Sequence, residues 1–104
     1  MPYGTIMRVK APIQAYDAAH AEIMKASVPQ EVPGFILHVG RATEDGFELI
    51  EVWETKEQAD AFNRDVGWPA MKRAGMPEDG PQPELIEFDP RAVLTAKPFE
   101  SNSA

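Results

Sequence analysis

The chain has 104 residues, no cysteine and a net charge of −7, which supports one domain with its own core and removes disulfides and thiolate metal sites. The acidic balance argues against a nucleic-acid partner, because such binding rests on Lys and Arg neutralising phosphates, and the ten basic residues are scattered. No apolar run reaches the roughly 20 residues of a membrane helix, and Met1-Pro2-Tyr3-Gly4 lacks the basic-then-apolar order of a signal peptide, so a cytoplasmic protein without a membrane partner is expected.

Tyr3 to Val9 alternates loosely and is rich in β-formers, which predicts a first strand. Pro12 suits a helix start. Ile13, Tyr16, Ala19, Ile23 and Met24 then recur near helical spacing and predict a helix from Ile13 to Ala26. Val28-Pro29 and Val32-Pro33-Gly34 end it. Phe35-Ile36-Leu37-His38-Val39-Gly40 and Phe47-Glu48-Leu49-Ile50-Glu51-Val52-Trp53 read as two strands of a hairpin. The turn between them is Glu44-Asp45-Gly46, where Gly46 is expected to supply the positive φ of a tight hairpin. Thr55 is a good N-cap with Gln58 as its capping-box partner, and Ala59, Phe62 and Val66 mark one face of a second helix. Gly67 is expected to interrupt that helix, with one or two further turns from Trp68 to Ala74. Gly75 to Pro83 reads as a loop, and Glu84-Leu85-Ile86-Glu87-Phe88 as a last strand ended by Asp89-Pro90.

The order strand, helix, strand, strand, helix, strand is that of the α+β, ferredoxin-like βαββαβ arrangement, an antiparallel sheet with both helices on one face. It occupies residues 1–90, and residues 91–104 form a C-terminal arm or tail. A sheet covered on one face normally alternates apolar and polar residues. The hairpin strands are apolar on both faces instead, so the second face is expected to meet another copy of the chain.

The hairpin register decides which side chains meet. With a two-residue turn at Asp45-Gly46, His38 lies opposite Trp53 and Gly40 opposite Glu51. His38, Glu51 and Trp53 then share one face, while Leu37, Val39, Ile50 and Val52 form an aliphatic layer on the other. A three-residue bulged turn shifts parity by one and takes His38 off the face of Glu51 and Trp53. A His–Glu pair in an apolar cavity is suited to acid–base chemistry, and an indole beside it offers a stacking surface. The competing reading is a hydrogen-bonded core histidine with Trp53 as a core aromatic. Gly40 would leave space beside the carboxylate. Trp68-Pro69-Ala70-Met71 and Met76-Pro77 read either as a lid over a pocket or as a helix end packed on the core. His20 reads as an exposed helix residue.

Pro33-Gly34-Phe35, the hairpin, Val52-Trp53-Glu54-Thr55 and the Gln58-Ala59 helix resemble the antibiotic-biosynthesis-monooxygenase-like proteins, over roughly residues 3 to 90. The resemblance implies a homodimeric α/β barrel whose two sheets face each other, with a pocket between sheet and helices in each protomer. Some members oxidise aromatic polyketides with molecular oxygen and without metal or flavin; others degrade haem, and others isomerise or cyclise small molecules. The strand-end tryptophan of the cofactor-free oxygenases is matched by Trp53. Their asparagine position holds Leu49 and their tyrosine position Ala59. The axial histidine of the haem-degrading branch has no match, since His20 lies on the other helix.

These readings predict a small cofactor-independent enzyme acting on an aromatic or polyketide-like molecule, with no metal, haem or flavin. A monooxygenase stands first. The alternatives are a cyclase or isomerase using His38 and Glu51 as acid and base, or a non-catalytic dimer that binds a small apolar ligand. His38 and Glu51 are the candidate catalytic residues. Trp53, Gly40, Leu49, Phe62, Trp68 and Met71 are the candidate substrate-binding residues.

Overall fold

A computed structural model describes residues 2–76 and 82–96 of the chain. Tyr3–Val9 forms strand β1, Ile13–Ala26 helix α1, Phe35–Thr43 strand β2, Gly46–Trp53 strand β3, Lys56–Phe62 helix α2, Trp68–Arg73 helix α3 and Glu84–Phe88 strand β4. The strands make one antiparallel sheet in the order β2-β3-β1-β4, with the helices on one face. This is the expected ferredoxin-like arrangement. Residues 77–81 of the expected loop from Gly75 to Pro83, and residues 97–104 of the expected tail, lie outside the described residues. Residues 91–96 carry no helix or strand.

The covered face holds the core. Phe47 and Trp53 are its largest fully buried side chains, and Val9, Leu49 and Phe47 pack together against Ile13, Tyr16 and Met71. Small residues bring the helices close: Ala19, Ala59 and Ala70 are all buried. Thr55 caps α2 as expected, its hydroxyl oxygen accepting the Gln58 backbone N–H at 3.2 Å.

Two local expectations are corrected. The hairpin turn has two residues, but they are Glu44 and Asp45; Gly46 is already paired with Thr43. Among the described glycines, positive φ occurs at Gly34 and Gly75 and not at Gly46. Gly46 is small for another reason: a Cβ there would run into the Val9 carbonyl. The register therefore moves by two residues from the expected one. His38 lies opposite Glu51 and Gly40 opposite Leu49, while a bulge between Phe35 and Leu37 sets Phe35 opposite Trp53. A two-residue shift preserves parity, so His38 and Glu51 remain on one face.

Gly67 does not interrupt the second helix. Residues 63–67 form a π-helical turn, with helical dihedrals at Asn63 and Gly67, so α2 continues through it into α3. The cause lies at Pro69, which has no N–H for the preceding turn and whose ring crowds the carbonyl four residues back. The wider turn accommodates this, and the Trp68 N–H bonds the Asn63 carbonyl five residues earlier.

The uncovered face is ordered in rows across the strands. Arg41, Glu48, Arg8 and Glu84 are successive cross-strand partners, as are Val39, Ile50, Ile6 and Ile86. A third row runs Leu37, Val52, Gly4 and Phe88, with the Phe88 ring over Gly4. Leu37 and Val39 are 38% and 41% exposed. In the charged row the Glu48 carboxylate receives Arg8 at 3.0 Å and Arg41 at 2.9 Å, and Arg8 also reaches Glu84 at 3.4 Å.

Those hydrogen bonds, Arg41 first and then Arg8, hold the Glu48 carboxyl below its usual pKa. A carboxyl that is more acidic in the folded state stabilises it above the unfolded pKa. That contribution fades as the pH falls through the folded value. Glu48→Gln is therefore expected to flatten the acid side of the stability profile, read as urea unfolding midpoints between pH 7 and 3. A variant whose acid limb is as steep as the wild type's would show that the two arginines do not act on Glu48.

Candidate functional site

One cross-strand row on the covered face runs His38, Glu51, Thr5, Glu87. Trp53 follows two residues after Glu51 on the same strand, so it emerges on the same side. Its indole N–H donates to Glu51 Oε1 at 3.0 Å. His38 Nδ1 lies 2.8 Å from Glu51 Oε2, and His38 Nε2 lies 2.7 Å from the Tyr16 hydroxyl. An ionised carboxylate only accepts. The network therefore assigns the ring proton to Nδ1, leaving Nε2 to accept the Tyr16 hydrogen. Among the described residues no buried side-chain polar atom lacks a partner.

Tyr16 comes from α1 and reaches over β2. Gly40 makes this possible, since a Cβ there would strike the Tyr16 ring. The Tyr16 and His38 rings are nearly parallel, 8° apart with centroids at 5.8 Å. His20, one helical turn after Tyr16, adds a third ring, 5.6 Å from Tyr16 and 6.1 Å from His38.

These groups open onto a cavity of about 330 Å³ between sheet and helices. Its wall includes Tyr16, His20, His38, Leu49, Glu51, Phe62, Asn63, Trp68 and Met71. A smaller hollow of about 80 Å³ adjoins it behind His38 and Glu51, lined by Phe35, Trp53, Ile23 and Met24. At the rim of the main cavity the Tyr3 hydroxyl donates to Glu87 at 2.6 Å, and Lys56 lies 5.3 Å above the Tyr3 ring. Burial, then the Glu87 hydrogen bond, raises the Tyr3 pKa, while the Tyr3 hydrogen bond lowers that of Glu87.

The structure thus brings His38, Glu51, Leu49, Phe62, Trp68 and Met71 into one wall. Trp53 is held to the same carboxylate but faces the smaller hollow. Gly40 is not in the wall of either chamber, and the space it provides is taken by Tyr16, not by a ligand beside Glu51. His20 is half-buried in the cavity wall instead of on the exposed side of its helix. Tyr16 and Asn63 escape sequence reasoning. A signal for Tyr16 did exist, in its four-residue spacing from His20 and in an isolated glycine on a facing strand. Among the described residues no three His, Cys, Asp or Glu side chains gather to hold a metal, and no helix is long and apolar enough to cross a membrane.

Gly40→Ala is expected to displace the Tyr16 ring and cost about 1–3 kcal/mol by urea unfolding, the scale of overpacking. An unchanged midpoint would mean that Tyr16 does not need this space.

No protein-family profile and no curated protein matches the chain. Solved structures do. Rv0793 from Mycobacterium tuberculosis is 16% identical, with a TM-score of 0.62 over 91% of this chain and 100% of its own. The ActVA-Orf6 monooxygenase of Streptomyces coelicolor, solved with nanaomycin D, is 17% identical, with a TM-score of 0.62 over 92% of each chain. SnoaB, a cofactor-independent oxygenase from Streptomyces nogalater, is 17% identical, with a TM-score of 0.57 over 89% of this chain and 94% of its own. The protein therefore has the ferredoxin-like fold of the antibiotic-biosynthesis-monooxygenase-like proteins, whatever its own pocket residues do with it.

Proposed function

We propose that the protein is a cofactor-independent enzyme that deprotonates a flat, enolisable or phenolic small molecule. The observation that carries this reading is the unbroken hydrogen-bond chain from Tyr16 through His38 to Glu51, ending at a cavity. A substrate C–H or O–H gives its proton to the Tyr16 oxygen as the Tyr16 hydroxyl passes its own to His38 Nε2. Glu51 holds the resulting imidazolium, and Trp53 steadies the carboxylate from its other oxygen. The same chain run backwards returns a proton at another carbon, which is the requirement for isomerisation or cyclisation. Apolar walls strengthen each of these charges by excluding water. The near-parallel rings of Tyr16, His20 and His38 suit a planar aromatic body.

Oxygenation is a second reading, favoured by the fold shared with the ActVA-Orf6 monooxygenase and SnoaB. It begins with the same deprotonation, after which the substrate anion itself reduces molecular oxygen. With anthrone as the probe, one molecule of anthrone and one of dioxygen would give anthraquinone and water.

Anthrone tests both. In deuterium oxide the protein is expected to accelerate exchange at the methylene of anthrone, followed by mass spectrometry. Tyr16→Phe, His38→Ala and Glu51→Gln should each slow that exchange by about 10²-fold or more, with circular dichroism confirming that each variant is folded. An oxygen electrode separates the two readings: exchange without oxygen uptake supports proton transfer alone. Full exchange activity in all three variants would refute the acid–base role and leave the binding reading.

We further propose that the uncovered sheet face packs against a second copy. Two rows of mainly apolar side chains support this, because a solitary domain leaves Leu37 and Val39 in them exposed. Sedimentation equilibrium at micromolar concentration is expected to give twice the 11.5 kDa chain mass. The interface should bury on the order of 1,500 Å². Arg or Glu at Val39 should yield monomers; a monomeric wild type would overturn the proposal.

A further inference from the structure

The π-helical turn between α2 and α3 puts an amide into the cavity wall that the acid–base chain does not use. Asn63 begins that turn and lines the main cavity, yet its side chain makes no hydrogen bond among the described residues. Extra-residue turns of this kind recur at functional sites because they re-aim one side chain without breaking the helix. Gly67 makes the same point from the other side of the turn. Its φ of −64° and ψ of −57° are ordinary helical values, open to any residue, so backbone freedom does not call for glycine there. A Cβ at Gly67 would lie 3.0 Å from Asn63 Oδ1, and the next nearest side-chain atoms, at 3.8 and 3.9 Å, belong to Asn63 as well. Glycine at 67 therefore leaves room for the Asn63 amide. It does so at a cost in helix propensity relative to alanine.

We infer that Asn63 is the group that binds the substrate's carbonyl or enolate oxygen, its side-chain N–H donating to that oxygen while the Tyr16–His38–Glu51 chain takes the proton. This rests on the reading of the cavity as a deprotonating site and adds the feature its substrate must carry: an oxygen conjugated to the acidic carbon. Deprotonating such a carbon moves negative charge onto the oxygen. A fixed neutral donor there acts most strongly once that charge develops. An amide is apt for this role because it holds the anion without competing for the proton.

The experiment compares two probes of nearly the same shape, anthrone and dihydroanthracene, which differ by the carbonyl. Binding is read by quenching of tryptophan fluorescence, so the result does not depend on turnover. Wild-type protein is expected to prefer anthrone by roughly five- to tenfold, the scale of one buried hydrogen bond. Asn63→Leu should abolish that preference while leaving dihydroanthracene affinity within about twofold. Gly67→Ala should weaken the preference in a protein at least as stable as the wild type, because the added methyl displaces the amide while favouring the helix. Tyr16→Phe should lose exchange activity and keep the preference, which separates failure of the acid–base reading from failure of this one. Absence of any preference in the wild type, including absence of binding, overturns the inference. So does a preference that survives Asn63→Leu, or an Asn63→Leu protein that loses both probes equally.

Discussion

A carboxylate on the covered face of a sheet demands donors, and the placement of Glu51 there organises much of what surrounds it. Water reaches it only partly, and an ionised group so placed is tolerated when each oxygen has a hydrogen-bond partner. The indole of Trp53 fills one oxygen and the imidazole of His38 the other. Each donor is fixed by strand geometry: Trp53 by the two-residue repeat of its own strand, His38 by lying directly across the ladder. Once Nδ1 is committed to Glu51, Nε2 can only accept, and Tyr16 is the group that supplies it. The need to satisfy one half-buried carboxylate thereby produces an oriented hydrogen-bonded chain whose far end is a phenol at a cavity.

The packing around this chain follows from it. Tyr16 must cross β2 to reach His38, and the strand yields only at Gly40. His20 falls one turn beyond Tyr16 and completes a set of near-parallel rings. On the other side, the path of the second helical arm is governed by Pro69, whose missing N–H is accommodated by the widened turn that sets Asn63 in the wall. The hydrogen-bonded groups of the cavity thus arise from the sheet and from α1, whereas the opposite wall is shaped by a backbone irregularity.

How far the sequence reveals this depends on the kind of constraint involved. Periodicity and turn residues carry the element order, because alternation and helical spacing are local properties. The shared face of His38 and Glu51 is also legible, since parity depends only on whether the turn is even or odd. The register within that parity is not. Asp45-Gly46 is the better turn pair on paper, yet Glu44-Asp45 makes the turn, and Gly46 instead takes the close approach of the Val9 carbonyl. Tyr16 is hidden for a related reason. Its periodicity marks it as core-facing, but nothing local says that a glycine on a strand more than twenty residues away will let its hydroxyl find an imidazole. Asn63 is hidden because a glycine followed closely by a proline reads as a helix end, and tertiary packing carries the helix through instead.

The charged row on the uncovered face acts on the fold beyond its effect on the pKa of Glu48. On β2 and β3 the two apolar rows beside it are built from Val, Ile and Leu, whose shapes are nearly interchangeable. If β2 slid along β3 by two residues, every side chain would stay on its own face and one of the two aliphatic pairs would be replaced by another, Val39 with Val52 or Leu37 with Ile50. The hydrophobic pattern thus opposes that error only in part. The charged row opposes it further: a slide one way sets Arg41 opposite Ile50, and the other way sets Glu48 opposite Val39. Either takes Arg41 away from the nearly enclosed Glu48 carboxylate, which would face Thr43 in the first case and Val39 in the second. The Arg41–Glu48 ion pair therefore favours the observed alignment, which is also the one that sets His38 opposite Glu51 on the other face of the same two strands.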